Sequence, residues 1–308
     1  MVQANQRVFE LLLRRERELP GGLEAAFELD PPQEDPHDDR AELGRGAFGV
    51  VYRMRDRTEP TAQRVYAVKQ VLVRQAAKAG VSMDDLLQEV ELLAQLSHPH
   101  IVRYFRHFFS AQGRLLNVAM ELATAGSLAE QVQCEPAPAE STLARWLEES
   151  LSALAYMHGM EVLHRDIKPE NILLSQPPLL VVKLGLSCVL TARRGRQSTD
   201  SYASYEKLNG LRYDGREDVW GLGCVFAELL TRRRLLRGAQ AWGGALSLAS
   251  HAEVQERTRR LLAACAERSP RLAQVVRRML TAAAESRPTA AELWEHMRKE
   301  RYDDAGEG

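Results

Sequence analysis

Cysteine is scarce in this chain of 308 residues, and none of its four cysteines forms a C-x-x-C pair. This pattern lacks both the paired thiols typical of a zinc site and the dense cysteines of a disulfide framework. The four are Cys134, Cys188, Cys224 and Cys265. A reducing, intracellular compartment is therefore expected. We expect a cytoplasmic protein, with the nucleus as an alternative.

Long apolar runs and a strong net charge are also missing. No apolar run reaches the length of about 18 residues that marks a membrane span. The N-terminal MVQANQRVF lacks the basic start and apolar core of a secretory signal. Because 41 Lys and Arg nearly cancel 42 Asp and Glu, no overall field favours nucleic acid or an anionic membrane. The composition predicts a soluble protein without these partners and leaves its oligomeric state open.

Hydrophobic patterning divides the chain into two structural parts. From residue 41 to about 122, the β-type runs GVVYRM, RVYAVKQVLV and IVRYFRHFF surround one helical segment, MDDLLQEVELLAQL. From about 123 to 300, helical patterns dominate, as in TLARWLEESLSALAYMH, DVWGLGCVFAELLT and RLAQVVRRML. These patterns predict an α+β fold with a small, β-rich lobe and a larger, helical lobe. A ligand is expected between unequal lobes of this kind.

The two ends of the chain lack the hydrophobic patterns of these lobes. Residues 1–40 are predicted to be disordered or weakly helical, because they hold a short amphipathic pattern followed by PPQEDPHDDR. Residues 301–308 form an acidic tail that is expected to fray.

A glycine-rich stretch, LGRGAFGVVY, places Gly44, Gly46 and Gly49 between two strand-like runs. Glycines allow backbone amides to approach a triphosphate, although the same spacing is common in tight hairpins. Lys69 ends YAVK and can deliver its ammonium group to phosphate oxygens, whereas the alternative is a surface lysine on an edge strand. Glu89, on the helical segment that follows, is a candidate ion-pair partner that orients Lys69.

The stretch HRDIKPEN, His164 to Asn171, puts a carboxylate and a carboxamide five residues apart. On one loop, the first group can orient a hydroxyl while the second ligates a metal. His164 is better explained as a core imidazole than as a catalytic group.

Together with AMELATAGSL, SYASYEK and DVWGLG, these motifs resemble the eukaryotic protein kinase family over about residues 41 to 300. The likeness is to the serine/threonine branch, and within it most to the NIMA-related kinases. It implies ATP and Mg²⁺ as cofactors and a protein substrate with a Ser or Thr acceptor. A small-molecule phosphotransferase is disfavoured, because SYASYE and DVWGLG match protein-kinase segments.

The resemblance also assigns roles within HRDIKPEN. Asp166 would orient the substrate hydroxyl or accept its proton, Lys168 would neutralise charge on the transferring phosphoryl group, and Asn171 would ligate magnesium. Arg165 beside Asp166 implies switching by phosphorylation of the activation segment, because its charge needs a phosphate partner.

For the adenine ring, the resemblance implies Met120 as the gatekeeper and the segment from Glu121 to Ala123 as the hinge. It places Val51, Ala67 and Leu173 around the ring. Their apolar character alone would indicate ordinary core.

In the larger lobe, the resemblance pairs Glu206 with Arg287 and makes Asp218 the anchor of the catalytic-loop backbone. Tyr205 stands where the family usually has Pro. Thr199 would contact the catalytic loop. The activation segment holds hydroxyls that can carry an ordering phosphate, although a Ser- and Arg-rich loop is also typical of solvated surface. These hydroxyls belong to Ser198, Thr199 and Ser201.

One expected residue is absent. Kinases of this type continue with a segment of the form V-K-L-G-D-F-G-L-S, whose Asp chelates magnesium, whereas this chain reads VKLGLS. No Asp or Glu occurs between Glu170 and Asp200, and Leu186 is the residue left to fill the volume of the missing Phe. Losing this carboxylate should severely weaken metal-assisted transfer.

Two functional hypotheses therefore remain open. The first is an ATP-dependent protein serine/threonine kinase, supported by the other retained motif residues. The second is a pseudokinase, a nucleotide-binding scaffold with impaired phosphotransfer. The survival of the remaining catalytic residues also fits recent loss of activity, a nucleotide-linked switch or an error in the reading frame.

Overall fold

The computed structural model describes residues 27–29, 41–46, 49–56, 64–78, 80–110, 114–175, 181–184, 200–235 and 251–306. The chain divides into two units. The small unit consists of Met1–Gln95 with Arg103–Leu122, and the large unit consists of Leu96–Val102 with Ala123–Gly308. The small unit carries a sheet and the large unit is mostly helical, so the predicted α+β fold is confirmed.

Within the described residues of the small unit, six antiparallel strands form one sheet in the order β1-β3-β4-β6-β5, with β2 also paired to β3. The runs predicted as strands lie mostly in it, but the start of IVRYFRHFF does not, because Ile101 and Val102 belong to the large unit and the strand begins at Tyr104. One strand that those runs did not include, β6, is buried along almost its whole length, so its sequence LLNVAME does not alternate. The strands are β1 (Phe27–Leu29), β2 (Glu42–Gly46), β3 (Gly49–Asp56), β4 (Val65–Leu72), β5 (Tyr104–Ser110) and β6 (Leu115–Glu121).

Two helices accompany this sheet in the described part of the small unit, α1 (Val73–Lys78) and α2 (Met83–Gln95). The second is the predicted helical segment. Its buried residues Leu86, Val90 and Leu93 recur every three or four positions, which gives one apolar face. Ser82 begins the helix, because its hydroxyl accepts a hydrogen bond from the Asp85 backbone N–H at 3.1 Å.

The strand β1 corrects the prediction for residues 1–40. That segment was expected to be disordered or weakly helical, yet Phe27–Leu29 pairs with Met54–Asp56 of β3. Phe27 is buried, and its ring stacks on Phe108 with centroids 5.2 Å apart. Three residues are too few to show an alternating pattern, so only tertiary packing reveals this strand. The expected helix near the N-terminus and the linker PPQEDPHDDR lie outside the described residues.

Replacing Phe27 with Ala should destabilise the small unit by about 3 kcal/mol, because a buried aromatic side chain is lost. This value is at the low end for a buried phenylalanine, because a short edge strand can detach without unfolding the rest of the sheet. The measurement is the midpoint of urea unfolding, monitored by circular dichroism. Phe109→Ala is the matched control, since this phenylalanine on β5 is exposed. Equal shifts of the midpoint in the two variants would show that Phe27 does not belong to the core.

The described part of the large unit begins with α3 (Leu128–Gln133) and α4 (Glu140–Gly159), followed by the two-stranded sheet of β7 (Ile172–Ser175) and β8 (Val181–Leu184). The remaining helices are α5 (Tyr205–Leu208), α6 (Arg216–Thr231), α7 (His251–Arg268), α8 (Pro270–Met279) and α9 (Ala290–Gly306). Short 3₁₀ turns cover Pro169–Asn171, Asp200–Tyr202 and Ala284–Ser286.

Helix α6 lies at the centre of the large unit. Every residue from Glu217 to Leu230 is buried, which is typical of a helix enclosed on all sides. Its glycines permit close packing: a Cβ on Gly223 would lie 2.9 Å from Met279 Cβ on α8. A Cβ on Gly221 would lie 3.1 Å from Ile167 Cβ, so this glycine brings α6 against the HRDIKPEN loop.

The C-terminal end departs from its predicted form, because α9 continues to Gly306 through most of the expected acidic tail. Among the helices that the structure describes, none is both long enough and apolar enough to cross a membrane.

Candidate active site

The glycine-rich stretch forms the β2–β3 hairpin, in which Gly46 pairs with Gly49. A Cβ on Gly49 would lie 1.8 Å from the Gln70 carbonyl oxygen, so the close approach of β3 and β4 alone requires glycine there. Gly44 differs, since nothing lies within 4 Å of the position that a Cβ would take on this residue. The hairpin therefore explains Gly49 without a ligand, whereas it places no such demand on Gly44.

Strand register brings four of the predicted nucleotide-binding residues onto one face of the small-unit sheet. Val51 is directly opposite Lys69, and Ala67 is directly opposite Met120. Because side chains alternate along a strand, these four share a face. Lys69 is buried, with 9% of its surface exposed, so it is not the surface lysine of the alternative interpretation. Its ion pair with Glu89, on α2, stays a prediction.

The other predicted adenine contacts are divided between the units. Glu121 ends β6, where its backbone N–H donates to the Arg103 carbonyl at 2.8 Å and its Oε2 accepts from the Arg103 N–H at 3.2 Å. Ala123 begins the second segment of the large unit, and Leu173 lies half-buried on β7. Their roles as hinge and adenine contacts stay predictions.

Three side chains of the HRDIKPEN loop form one cluster in the large unit. Lys168 Nζ lies 2.9 Å from Asp166 Oδ2, and Asn171 Nδ2 donates to the same oxygen at 2.9 Å. Asn171 Nδ2 also donates to the Asp166 backbone carbonyl at 2.8 Å. The cation and the amide therefore fix the carboxylate of Asp166, which remains partly exposed. Such a carboxylate can accept a hydrogen bond from an incoming hydroxyl.

The carboxylate of Asp218, at the start of α6, holds the backbone of this loop in place. Its Oδ2 accepts from the His164 backbone N–H at 2.8 Å, and its Oδ1 accepts from the Arg165 N–H at 2.6 Å. His158 Nε2 lies 2.9 Å from the same carboxylate. Burial raises the pKa of Asp218, but the hydrogen bonds and charges of His158 and His164 together lower it more, so the net pKa shift is downward. The anchor is therefore an anion.

Arg165 and His164 differ in their surroundings. His164 is fully buried, as its interpretation as a core imidazole requires. Arg165 has a positive φ of 65°, which is uncommon for a residue with a side chain. Among the described residues its buried Nε has no hydrogen-bond partner. The pairing of Arg165 with a phosphate stays a prediction.

The Glu206–Arg287 pair lies within the large unit. Arg287 Nη1 donates to Glu206 Oε1 at 2.7 Å and to the Arg216 carbonyl at 2.8 Å, and its Nε donates to the Thr281 carbonyl at 3.0 Å. The guanidinium also stacks 4.9 Å from the centre of the Trp220 ring. This buried pair is well satisfied, which is the condition for an internal ion pair to be stable.

The activation-segment hydroxyls are only partly described. Ser201 lies in a 3₁₀ turn and is 3% exposed, so its hydroxyl is inaccessible to a modifying enzyme in this conformation. Its assignment as a possible phosphate acceptor therefore requires the turn to open. Ser198, Thr199 and Leu186 lie outside the described residues.

The donor set of the catalytic loop fits magnesium poorly. Mg²⁺ requires near-octahedral oxygen coordination and is usually held by carboxylates. In the described cluster, the candidate metal ligands are the amide of Asn171 and the carboxylate of Asp166, which is already paired with Lys168. Strand β8 ends at Leu184, just before the stretch whose sequence contains no Asp or Glu. Within the described residues, no group of three or more His, Cys, Asp or Glu is placed to hold a metal.

Sequence reasoning missed three residues around the catalytic loop: His158 contacts Asp218, Lys207 contacts the loop, and Glu217 contacts Lys207. Lys207 Nζ donates to the Arg165 carbonyl at 2.5 Å and lies 3.0 Å from Glu217 Oε1. The available signal was adjacency, because Lys207 follows Glu206 and Glu217 precedes Asp218. Adjacency alone does not show which way a side chain points.

The β-rich unit, the helical unit and the loop cluster are those of the protein kinase class, and comparison with known proteins agrees. The family model described as "Protein kinase domain" matches residues 38–297. The chain therefore belongs to the protein kinase family, in its serine/threonine branch.

Individual relatives are protein kinases that match about three-fifths of the chain. Serine/threonine-protein kinase Nek8 of Danio rerio is 33% identical over 64% of this chain and 28% of its own length. Myosin light chain kinase A of Dictyostelium discoideum is 33% identical over 62% of this chain and 65% of its own length. Aurora/IPL1-related protein kinase 2 of Caenorhabditis elegans is 32% identical over 61% of this chain and 61% of its own length. The matches thus span 28% to 65% of the relatives' lengths. Nek8 agrees with the NIMA-related likeness but does not single out that subfamily.

Proposed function

We propose that this chain is an ATP-dependent protein kinase that transfers the γ-phosphate of ATP to Ser or Thr hydroxyls of protein substrates. The observation that carries the proposal is the cluster of Asp166, Lys168 and Asn171, in which the ammonium group and the amide each lie 2.9 Å from one carboxylate oxygen. A pre-organised carboxylate beside an ammonium group can orient a hydroxyl and offset charge on a phosphoryl group.

Each side chain has a distinct task in this proposal. Asp166 orients the acceptor hydroxyl or takes its proton, while the amide of Asn171 keeps the carboxylate in place. Lys168 offsets negative charge that develops during transfer. In the small unit, Lys69 contacts phosphate oxygens, and Val51, Ala67 and Met120 offer an apolar face for adenine. Magnesium would supply further charge neutralisation, but the donor set fits it poorly, so no step is assigned to it.

The missing acidic residue favours a second candidate, a pseudokinase that binds nucleotide and acts as a scaffold. Asp200 is the first acidic residue after Glu170, so this stretch contributes no carboxylate to a metal. In that case the catalytic cluster would be retained for nucleotide-linked binding rather than for turnover.

Replacing Asp166 with Asn should reduce phosphate transfer to the background measured without protein. The substitution keeps the shape but removes the negative charge that orients the hydroxyl. The measurement is transfer of radiolabel from Mg-ATP to casein, followed by phosphoamino-acid analysis. Asp214→Asn is the matched control, because this aspartate of the same unit has 61% of its side chain exposed.

Equal labelling by Asp166→Asn and the original chain would reveal a contaminating kinase and contradict the proposal. If both show only background while ATP still raises the melting temperature, the pseudokinase interpretation holds. Labelled tyrosine in place of serine and threonine would contradict the assigned acceptor class.

A further inference from the structure

Lys207 contacts the peptide that leads into Asp166. Its Nζ donates to the Arg165 carbonyl oxygen at 2.5 Å, although the two residues are 42 positions apart. The Arg165 carbonyl and the Asp166 N–H belong to the same planar peptide group. A donor that holds this oxygen therefore fixes the plane from which the Asp166 side chain departs.

The same residue is held from its other side by Asp218. The Arg165 N–H donates to Asp218 Oδ1 at 2.6 Å, so Asp218 and Lys207 bind the N–H and the C=O of one residue. Arg165 has a φ of 65°, a backbone conformation that is unfavourable for a side-chain-bearing residue. Such a conformation persists only where the surroundings enforce it, and these two contacts do so.

Glu217 keeps Lys207 in position. Its Oε1 lies 3.0 Å from Lys207 Nζ, and 5% of its side chain is exposed. Burial and the charge of Asp218 raise the pKa of Glu217, while the ammonium group of Lys207 opposes that rise. Burial lowers the pKa of Lys207, but the carboxylate of Glu217, with added contributions from Tyr213 and Asp218, raises it more, so the lysine remains a cation.

Lys207 connects helix α5 to the loop that contains Asp166. Lys207 lies on α5, which begins at Tyr205, shortly after the stretch outside the described residues that contains Thr199. Ser204 begins this helix, and its hydroxyl accepts from the Lys207 backbone N–H at 3.4 Å. A displacement of α5 would therefore withdraw the ammonium group from the Arg165 carbonyl.

We infer that Lys207, held by Glu217, is a positioning residue that sets the orientation of Asp166 by binding the Arg165 carbonyl and links that orientation to the placement of α5. This inference rests on the proposed kinase function for its effect on turnover. Its effect on the loop backbone does not depend on turnover. The two consequences can therefore be measured separately.

The test is hydrogen exchange, read by mass spectrometry, in Lys207→Met of the full chain. Methionine keeps the unbranched stem but cannot donate, so the backbone amides of residues 164–168 should exchange at least tenfold faster. Lys207→Arg retains a cationic donor and should restore most of the protection. Lys299→Met, which changes a lysine of α9 in the same unit, should leave exchange unchanged.

In the casein assay, Lys207→Met should lower kcat at least tenfold with little change in KM for ATP, and Lys207→Arg should recover part of kcat. Unchanged exchange at residues 164–168 in Lys207→Met would overturn the inference, whatever the activity. Faster exchange throughout α6 as well would also overturn it, because the lysine would then act on general stability. If the original chain shows no transfer, the proposed function fails while the exchange experiment still decides the role of Lys207.

Discussion

Insertion of Asp-Phe-Gly between Gly185 and Leu186 is expected to raise the rate of magnesium-dependent phosphate transfer by about 10²- to 10³-fold. This is the usual effect of one pre-organised group that stabilises transition-state charge. The insertion turns VKLGLS into VKLGDFGLS and adds the carboxylate that the stretch lacks. Strand β8 ends at Leu184, so the added residues extend the chain beyond the strand without interrupting its ladder.

The matched control is insertion of Asn-Phe-Gly at the same place, which restores the length without a negative charge. The measurement is the rate of casein phosphorylation as a function of Mg²⁺ concentration. The Asp insertion should lower the Mg²⁺ concentration needed for half-maximal rate, because a carboxylate is a stronger magnesium ligand than an amide. If the original chain is already as fast as the Asp insertion, the catalytic importance assigned to this absence is wrong.

Replacing Arg287 with Ala is expected to lower the free energy of unfolding of the large unit by about 3–5 kcal/mol and its Tm by about 10 °C. The side chain of Arg287 is fully buried, and that of Glu206 is 8% exposed. Removing the guanidinium leaves this carboxylate without its cation and the Thr281 and Arg216 carbonyls without a donor. Differential scanning calorimetry of the intact chain is the measurement.

Two further variants distinguish the buried pair from general charge effects. Arg259→Ala removes an arginine that pairs with Glu256 on the surface of α7, and it should leave Tm unchanged. The double variant Glu206→Leu, Arg287→Met removes both charges and should recover part of the lost Tm. A Tm for Arg287→Ala equal to that of Arg259→Ala would show that the pair contributes nothing to the fold.

Several features of this protein follow from its sequence alone. Period-two and period-3.6 patterns predict the main strands and helices, because each pattern depends on neighbours a few residues apart. The cluster around Asp166 also forms within one loop, so the spacing of Asp166 and Asn171 pointed to it, and the family resemblance added Lys168. The absence of an acid between Glu170 and Asp200 is likewise a property of the sequence, and no packing can supply that charge.

Contacts between distant residues were decided only by the tertiary structure. The strand at Phe27 is too short for a periodic signal, and it forms because the Phe27 ring packs against Phe108. The close approach of β3 and β4 accounts for Gly49, which the motif had assigned to phosphate binding. Lys207 reaches a carbonyl 42 residues away, a contact that depends on where α5 and α6 pack. Local preference decides the longer elements, whereas burial across the whole unit decides short ones such as β1 and determines which side chains meet.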